Sequence, residues 1–130
     1  LGKTSMRKVR IVFAAVVVAL MLASVPEPAQ AQSEMTFRIR SDYDYKIQVA
    51  FYSQDRKGHV WPGGGKAYNL DDSQVHNMKI SCLGGEKICY GGWVTGNAKR
   101  YWGVGNNNSQ RCEKCCFTCN GGQTPVITLE

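Results

Sequence analysis

The sequence has little of the chemistry on which enzymes depend. It contains only two histidines, His59 and His76, in no HxH or HExxH spacing, and it has no GxSxG or P-loop motif. Asp and Glu make up 10 of 130 residues, and most of the aspartates fall in predicted polar turns, where a carboxylate is usually solvated. Because general acid–base catalysis needs a placed histidine or carboxylate pair, we expect a non-catalytic protein without a cofactor.

The sequence also lacks the signature of a long helix. After residue 31, no stretch carries a 3.6-residue hydrophobic period over three turns. Short alternating segments such as "TFRIR" (36–40) and "YKIQVAFYS" (45–53) are instead separated by polar or glycine-rich turns. This pattern predicts an all-β fold, either a small antiparallel β-sandwich or a partly open barrel.

Alternation also predicts which side chains share a face of a strand. In 45–53 the two faces hold Tyr45, Ile47, Val49 and Phe51 on one side and Lys46, Gln48, Ala50 and Tyr52 on the other. In the later strand "VHNMKISC", one face holds Met78, Ile80 and Cys82. Among the aromatic residues we expect four in the core, namely Phe37, Tyr45, Phe51 and Tyr90.

The longest apolar run, 11–25, is too short for the ~20 residues of a membrane-spanning helix. It follows three basic residues at 7, 8 and 10 and precedes the small-x-small sequence Ala29-Gln30-Ala31. These features predict a signal-peptide helix that is cleaved between Ala31 and Gln32 and directs the protein to the periplasm or the exterior. An uncleaved N-terminal anchor is the alternative. Residues 1–31 would then be an upstream extension and signal peptide, and 32–130 a single domain.

The net charge of the predicted mature chain is smaller than that of the whole sequence. Four of the 16 Lys and Arg residues and one of the 10 Asp and Glu residues precede Gln32, which lowers the net charge from +6 to +3. No basic cluster follows one predicted element, so the charge does not indicate nucleic-acid binding. We expect a monomer with no stable membrane span after cleavage, whose partner is a glycan or an envelope or extracellular protein.

Six cysteines are present, and four of them lie within eight residues near the end of the chain. They are Cys82, Cys89, Cys112, Cys115, Cys116 and Cys119. An even number in a small exported chain predicts three disulfides, which allow 15 pairings. A bond between the neighbours Cys115 and Cys116 is disfavoured, and we expect at least one bridge from the Cys82/Cys89 segment to the C-terminal cluster.

Two other states of these cysteines stay open. The spacing of Cys112, Cys115, Cys116 and Cys119 contains two CxxC pairs, which can hold one tetrahedral zinc ion. Some of the thiols could instead be redox-active, although no helix N-terminus or βαβ unit is predicted beside them.

Aromatic residues next to glycines are the candidates for ligand binding. An aromatic ring on a glycine-flanked loop can be exposed as a flat platform for a sugar or a protein partner. The candidate binding residues are Trp61, Tyr68, Trp93, Tyr101, Trp102 and Asn106. We therefore predict a glycan-binding module. The alternatives are a protein-interaction module, such as an inhibitor or effector, or a zinc protein, and each tryptophan could instead pack in the core.

Two segments in the first half of the chain have a familiar pattern: "TFRIRSDYDYKIQVAFYS" and the glycine-led "PGGGKAYNLDDSQVHNMKI". Together they resemble the opening strands of thaumatin-like β-sandwiches. It implies a sandwich architecture. It does not imply β-glucan hydrolysis, because this chain is about half as long, has fewer cysteines and lacks an identifiable acidic cleft. The second half is similar to small exported bacterial proteins, a resemblance that implies no activity.

Overall fold

The computed structural model describes residues 30–130 together with Gly2, so the predicted signal-peptide helix lies outside the described residues. In 30–130 the chain forms nine strands and two short 3-10 turns, Asn106–Asn108 and Glu113–Cys115, but no α-helix. The strands are β1 (Gln32–Ser41), β2 (Ile47–Ser53), β3 (Val60–Trp61), β4 (Tyr68–Leu70), β5 (His76–Leu83), β6 (Lys87–Val94), β7 (Asn97–Gly103), β8 (Cys116–Thr118) and β9 (Gln123–Leu129). This part of the chain has no helix with the length and hydrophobicity of a membrane span.

The strands form two sheets, which confirms the all-β prediction and favours the sandwich over the barrel. One sheet has three strands in the order β5-β1-β9. The other has six, with β3, β2, β6 and β7 in order, β4 also paired to β2, and β8 also paired to β6. Each sheet buries one apolar face against the other, as two layers of a sandwich do.

The arrangement departs from the predicted antiparallel sandwich at one place. β9 runs parallel to β1, so that Arg38 lies opposite Val126 and Ser41 opposite Leu129. A parallel neighbour needs a long crossover connection, and here the whole six-stranded sheet lies between β1 and β9 in the sequence. The register shifts near the start of β9, where the Arg38 backbone N–H donates to the Thr124 hydroxyl at 3.1 Å.

The core between the sheets follows the predicted alternation. Phe37 of β1 stacks on Phe51 of β2, with ring centroids 4.2 Å apart, and both side chains are fully buried. Tyr90 packs against the same cluster. Tyr45 was expected in the core but is 69 % exposed, because β2 begins only at Ile47 and Tyr45 lies in the preceding loop.

Three disulfides are formed, as the cysteine count predicts, and each of them involves the C-terminal segment 112–119. The pairs are Cys82–Cys119, Cys89–Cys116 and Cys112–Cys115. Two of them connect the cluster to the Cys82/Cys89 segment, closing separations of 37 and 27 residues. Cys82 packs in the core between the sheets, whereas Cys89 packs on the outer face of the six-stranded sheet. The segment 112–119 is therefore fixed to both layers.

A buried ion pair holds the turn between β5 and β6. The Glu86 side chain is only 1 % exposed, and its carboxylate accepts two hydrogen bonds from Arg56, at 2.6 and 2.8 Å. Ser53 Oγ donates at 2.5 Å and the Leu83 backbone N–H at 3.0 Å. A carboxylate that directly follows two glycines, as Glu86 does, is usually a solvated turn charge. The structure instead makes it the anchor of two loops.

We expect the Cys82–Cys119 bridge to contribute more stability than the Cys112–Cys115 bridge. In the chain-entropy model a 37-residue closure stabilises by about 4 kcal/mol, and a three-residue closure by less than about 2 kcal/mol. Urea unfolding of the double variants Cys82→Ala/Cys119→Ala and Cys112→Ala/Cys115→Ala measures the two losses. Equal losses would contradict this pairing, as would a non-reduced peptide map without the 82–119 cross-link.

We also expect stability to fall in acid through Glu86. Burial alone would raise the pKa of the Glu86 carboxyl, but hydrogen bonds from Arg56, Leu83 and Ser53 outweigh it and lower that pKa from 4.5 to about 2. Because the folded pKa lies below the unfolded one, this stabilisation is complete above about pH 5 and is lost as the pH falls toward 2. It amounts to at most about 3 kcal/mol.

Glu86→Gln should therefore lower the free energy of unfolding at pH 7 by about 2–3 kcal/mol and flatten its dependence on pH between 5 and 2. The matched control is Glu34→Gln, which removes an exposed pair with Lys79 (3.2 Å) and should cost less than about 1 kcal/mol. Denaturant titrations across that pH range measure both quantities. An unchanged pH slope in Glu86→Gln would show that other carboxylates cause the acid sensitivity.

Candidate ligand-binding groove

A groove of about 910 Å³ lies on the outer face of the six-stranded sheet. We refer to this surface as the groove. Its floor comes from β2 and β6, its first wall from the loop that follows β7, and its second wall from the glycine-rich turn between β3 and β4. It therefore lies on the side of β2 that faces away from the core.

The floor of the groove is fixed by strand alternation. Because Ile47, Val49 and Phe51 enter the core, the intervening side chains of β2 emerge on the opposite face; they are Gln48, Ala50 and Tyr52. Trp93 of β6 lies directly opposite Gln48 in the strand register. Its indole N–H donates to the Gln48 side-chain oxygen at 3.1 Å, which orients both groups.

The first wall is the loop after β7, which folds back over the sheet. Gly103 and Gly105 have positive φ, and the Val104 backbone N–H donates to the Tyr90 carbonyl at 3.0 Å. The loop lies so close to Gly91 that a Cβ there would overlap the Gly105 carbonyl oxygen. No residue larger than glycine fits at 91 without moving this wall.

Tyr52 fixes the far end of the same wall. Its hydroxyl accepts a hydrogen bond from the Asn107 backbone N–H at 2.9 Å. Burial raises the pKa of the Tyr52 hydroxyl, so it stays protonated at neutral pH and can donate as well as accept. This contact presents Asn106 and Asn107 at the rim of the groove.

The second wall is the turn Pro62-Gly63-Gly64-Gly65-Lys66. All three glycines have positive φ, a conformation that other residues rarely adopt. The turn is closed by the Lys66 backbone N–H, which donates to the Gly63 carbonyl at 3.1 Å. Three consecutive residues without side chains leave backbone exposed at the groove and make Lys66 the one charged side chain of this wall.

The lining of the groove combines aromatic rings with neutral amides. Trp93 and Tyr52 contribute the rings, and the amides belong to Gln48, Asn69, Asn106 and Asn107. Lys66 and His59 are the ionisable nitrogen groups of the lining, which includes no Asp or Glu among the described residues. Such a surface can hydrogen-bond hydroxyl groups and contact an apolar ring face.

Two of the six predicted binding residues, Trp93 and Asn106, meet in the groove. Trp93 is only 7 % exposed, so its ring is part of the floor rather than an open platform. Trp61 and Tyr68 pack on the core side of the sheet. Trp61 is 8 % exposed and donates its indole N–H to the Ser81 carbonyl at 2.7 Å, and the Tyr68 ring centroid lies 5.6 Å from that of Phe51.

Tyr101 and Trp102 lie outside the groove on opposite faces of β7. Tyr101 lies opposite Trp93 in the pairing of β7 with β6, and its side chain is 40 % exposed. Gly105 of the first wall lies against its ring. Trp102 packs on the core cluster, 5.0 Å from the Tyr43 ring, and its indole N–H donates to the Glu130 carbonyl at 2.7 Å.

The four cysteines of the zinc alternative do not form one cluster of free thiolates. Cys112 and Cys115 bond to each other, while Cys116 and Cys119 bond to partners on β6 and β5. All six cysteines lie in the described part of the chain, and each is in a disulfide. The zinc alternative has no available thiolate ligands in this arrangement.

A smaller pocket of about 580 Å³ lies between the loop after β1 and the loop after β4. Its charged lining is mostly acidic and comprises Asp42, Asp44, Asp71, Asp72 and Lys46. The predicted placement of these aspartates in turns is confirmed. Asp72 is paired with His76 at 2.7 Å, an interaction that lowers the pKa of the Asp72 carboxyl.

Comparisons of this chain with protein-family models, with curated proteins and with solved structures find no match. The resemblance of the first half to thaumatin-like sandwiches therefore stays a prediction. Function has to be argued from the groove itself.

Gly91→Ala should displace the first wall and destabilise the fold by about 2–3 kcal/mol, because the new methyl group would overlap the Gly105 backbone. Urea unfolding measures the loss, and hydrogen exchange at the Asn107 amide reports the displaced wall. Gly84→Ala is the control, since a Cβ there meets only the Ala31 carbonyl oxygen, at an ordinary 3.5 Å. Equal stability of the two variants would mean that the loop does not pack on Gly91.

Proposed function

We propose that this protein binds a glycan in the groove and does not cleave it. The observation that carries the proposal is the convergence of Trp93, Tyr52 and four amide side chains on one concave surface. A sugar ring presents hydroxyl groups at its edge and C–H bonds on its face. Amides can donate to and accept from the hydroxyls, while an aromatic ring contacts the C–H face.

The amides carry most of the proposed recognition. Because Trp93 is largely buried, its contact with a ligand is limited to the exposed part of the ring. Asn69 and Asn106 belong to opposite sides of the groove, one on β4 and the other in the loop after β7. A ligand that spans the groove can hydrogen-bond to both, which favours an extended polar molecule over a compact apolar one.

Binding without hydrolysis is the form of the proposal that fits the lining. Glycoside hydrolysis uses two carboxyl groups on either side of the scissile bond. The groove has no carboxylate among its described lining residues, and the buried Glu86, which is not part of that lining, is paired with Arg56.

The framework around the groove is hydrogen-bonded and cross-linked, and this supports a binding role. Hydrogen bonds fix both walls, and the disulfide Cys89–Cys116 lies on the same face of the sheet as the groove. A preformed site loses less conformational entropy when it binds. The three disulfides fit an extracellular or other oxidising compartment. We propose export as a monomer, the setting in which a glycan partner is available.

Asn69→Ala should weaken binding of any glycan found in a neutral and acidic oligosaccharide panel by roughly 5–10-fold, the loss expected for one hydrogen bond to a ligand. Asn77→Ala is the matched control, since Asn77 is an exposed asparagine on β5 of the other sheet. Titration calorimetry measures both affinities, and urea unfolding verifies that both variants are folded.

Two results would overturn this proposal. One is the absence of binding across the panel, and the other is an equal affinity of the Asn69→Ala and Asn77→Ala variants. Capture of a protein partner whose affinity depends on Asn69, with no glycan bound, would instead support the protein-interaction module.

A further inference from the structure

We infer that the ligand of the groove is an anionic glycan whose acidic group pairs with Lys66. This inference rests on the proposed function and adds the charge class of the ligand. It depends on where Lys66 lies, on its lack of a partner within the described chain, and on the separation of charge between the two concave surfaces.

Lys66 is held at the groove by its own backbone. It follows three glycines of positive φ, and its N–H closes the turn onto the Gly63 carbonyl. Gly63 and Lys66 also form an isolated antiparallel bridge. The base of the side chain is thus fixed, while the side chain is exposed and lines the groove. A cation at this position can reach a ligand without a change in the fold.

Lys66 has no acidic partner in the part of the chain that the structure describes. In residues 30–130 the ion pairs of Lys and Arg use Arg40, Arg56 and Lys79, and a further contact joins His76 to Asp72. The lining adds a second nitrogen base, His59, and no carboxylate. The positive charge of Lys66 is therefore available to an anion.

A neutral ligand that covered Lys66 would remove water from the ammonium group without replacing those hydrogen bonds. Burial of an unpaired charge is unfavourable, whereas a carboxylate or sulfate on the ligand forms a charge-assisted hydrogen bond. The groove and the acidic pocket also have opposite charge: the pocket holds four aspartates, the groove none. An anionic ligand is thus attracted to the groove and repelled from the other concave surface.

The test compares a uronate oligosaccharide with its methyl ester of equal length, together with a neutral oligosaccharide panel. We expect the wild-type protein to bind the acid about 5–10-fold more tightly than the ester at low salt, and this ratio to shrink at 0.5 M NaCl, where charges are screened. Lys66→Gln should reduce the ratio to about one. Lys99→Gln, at an exposed lysine on β7 outside the groove, should leave the ratio unchanged.

The outcomes separate this inference from the proposed function. Equal affinity for the acid and the ester, or a preference for neutral members of the panel, would overturn the anionic ligand but leave glycan binding in place. A preference for the acid that persists in Lys66→Gln would also overturn the inference, since another cation would then be responsible. If no oligosaccharide binds, the inference and the proposed function both fail.

Discussion

Both faces of strand β2 pack against other parts of the protein, and the arrangement of the fold follows from these two contacts. Its inner side chains pack against the three-stranded sheet through the Phe37–Phe51 stack. Its outer side chains, Ala50 and Tyr52, pack with Trp93 and Val104 in a second, smaller cluster. A sheet covers the inner face completely, whereas two irregular segments cover the outer face only in part. The groove is the uncovered remainder, so the proposed ligand site and the second cluster share one surface.

Irregular segments provide little cooperative hydrogen bonding of their own, and the disulfides compensate for this. Cys89 lies directly opposite Cys116 in the pairing of β6 with β8 on the outer face, while Cys82–Cys119 belongs to the core between the sheets. The short segment between Cys116 and Cys119 thus links the two layers. A domain of about 100 residues buries a modest apolar area, and cross-links of this kind make up a large share of its net stability.

Local patterns predicted the local structure, and features set by distant residues were missed. Alternation identified Phe37, Phe51 and the outward face of β2, but it could not show that β9 returns parallel to β1, because that pairing joins residues some 90 positions apart. The cysteine pairs were left open for the same reason. Trp61 was a candidate for an exposed loop because glycines follow it, with core packing as the alternative; those glycines shape the turn while the ring packs inward. Asn69 and Lys66 carried no sequence signal, since only the fold brings them beside Trp93.

The turn Pro62–Lys66 differs from the rest of the groove because three of its five residues are glycines, and its described internal contact is the backbone pairing of Gly63 with Lys66. Substitutions or insertions in surface turns of this kind are tolerated better than changes in paired strands. The floor and the opposite wall cannot change as freely, because Gly91 and Tyr52 tie them to the fold. Divergence among descendants of this scaffold would thus concentrate in one short turn, and new ligand preferences could arise there while the cross-linked framework is inherited intact.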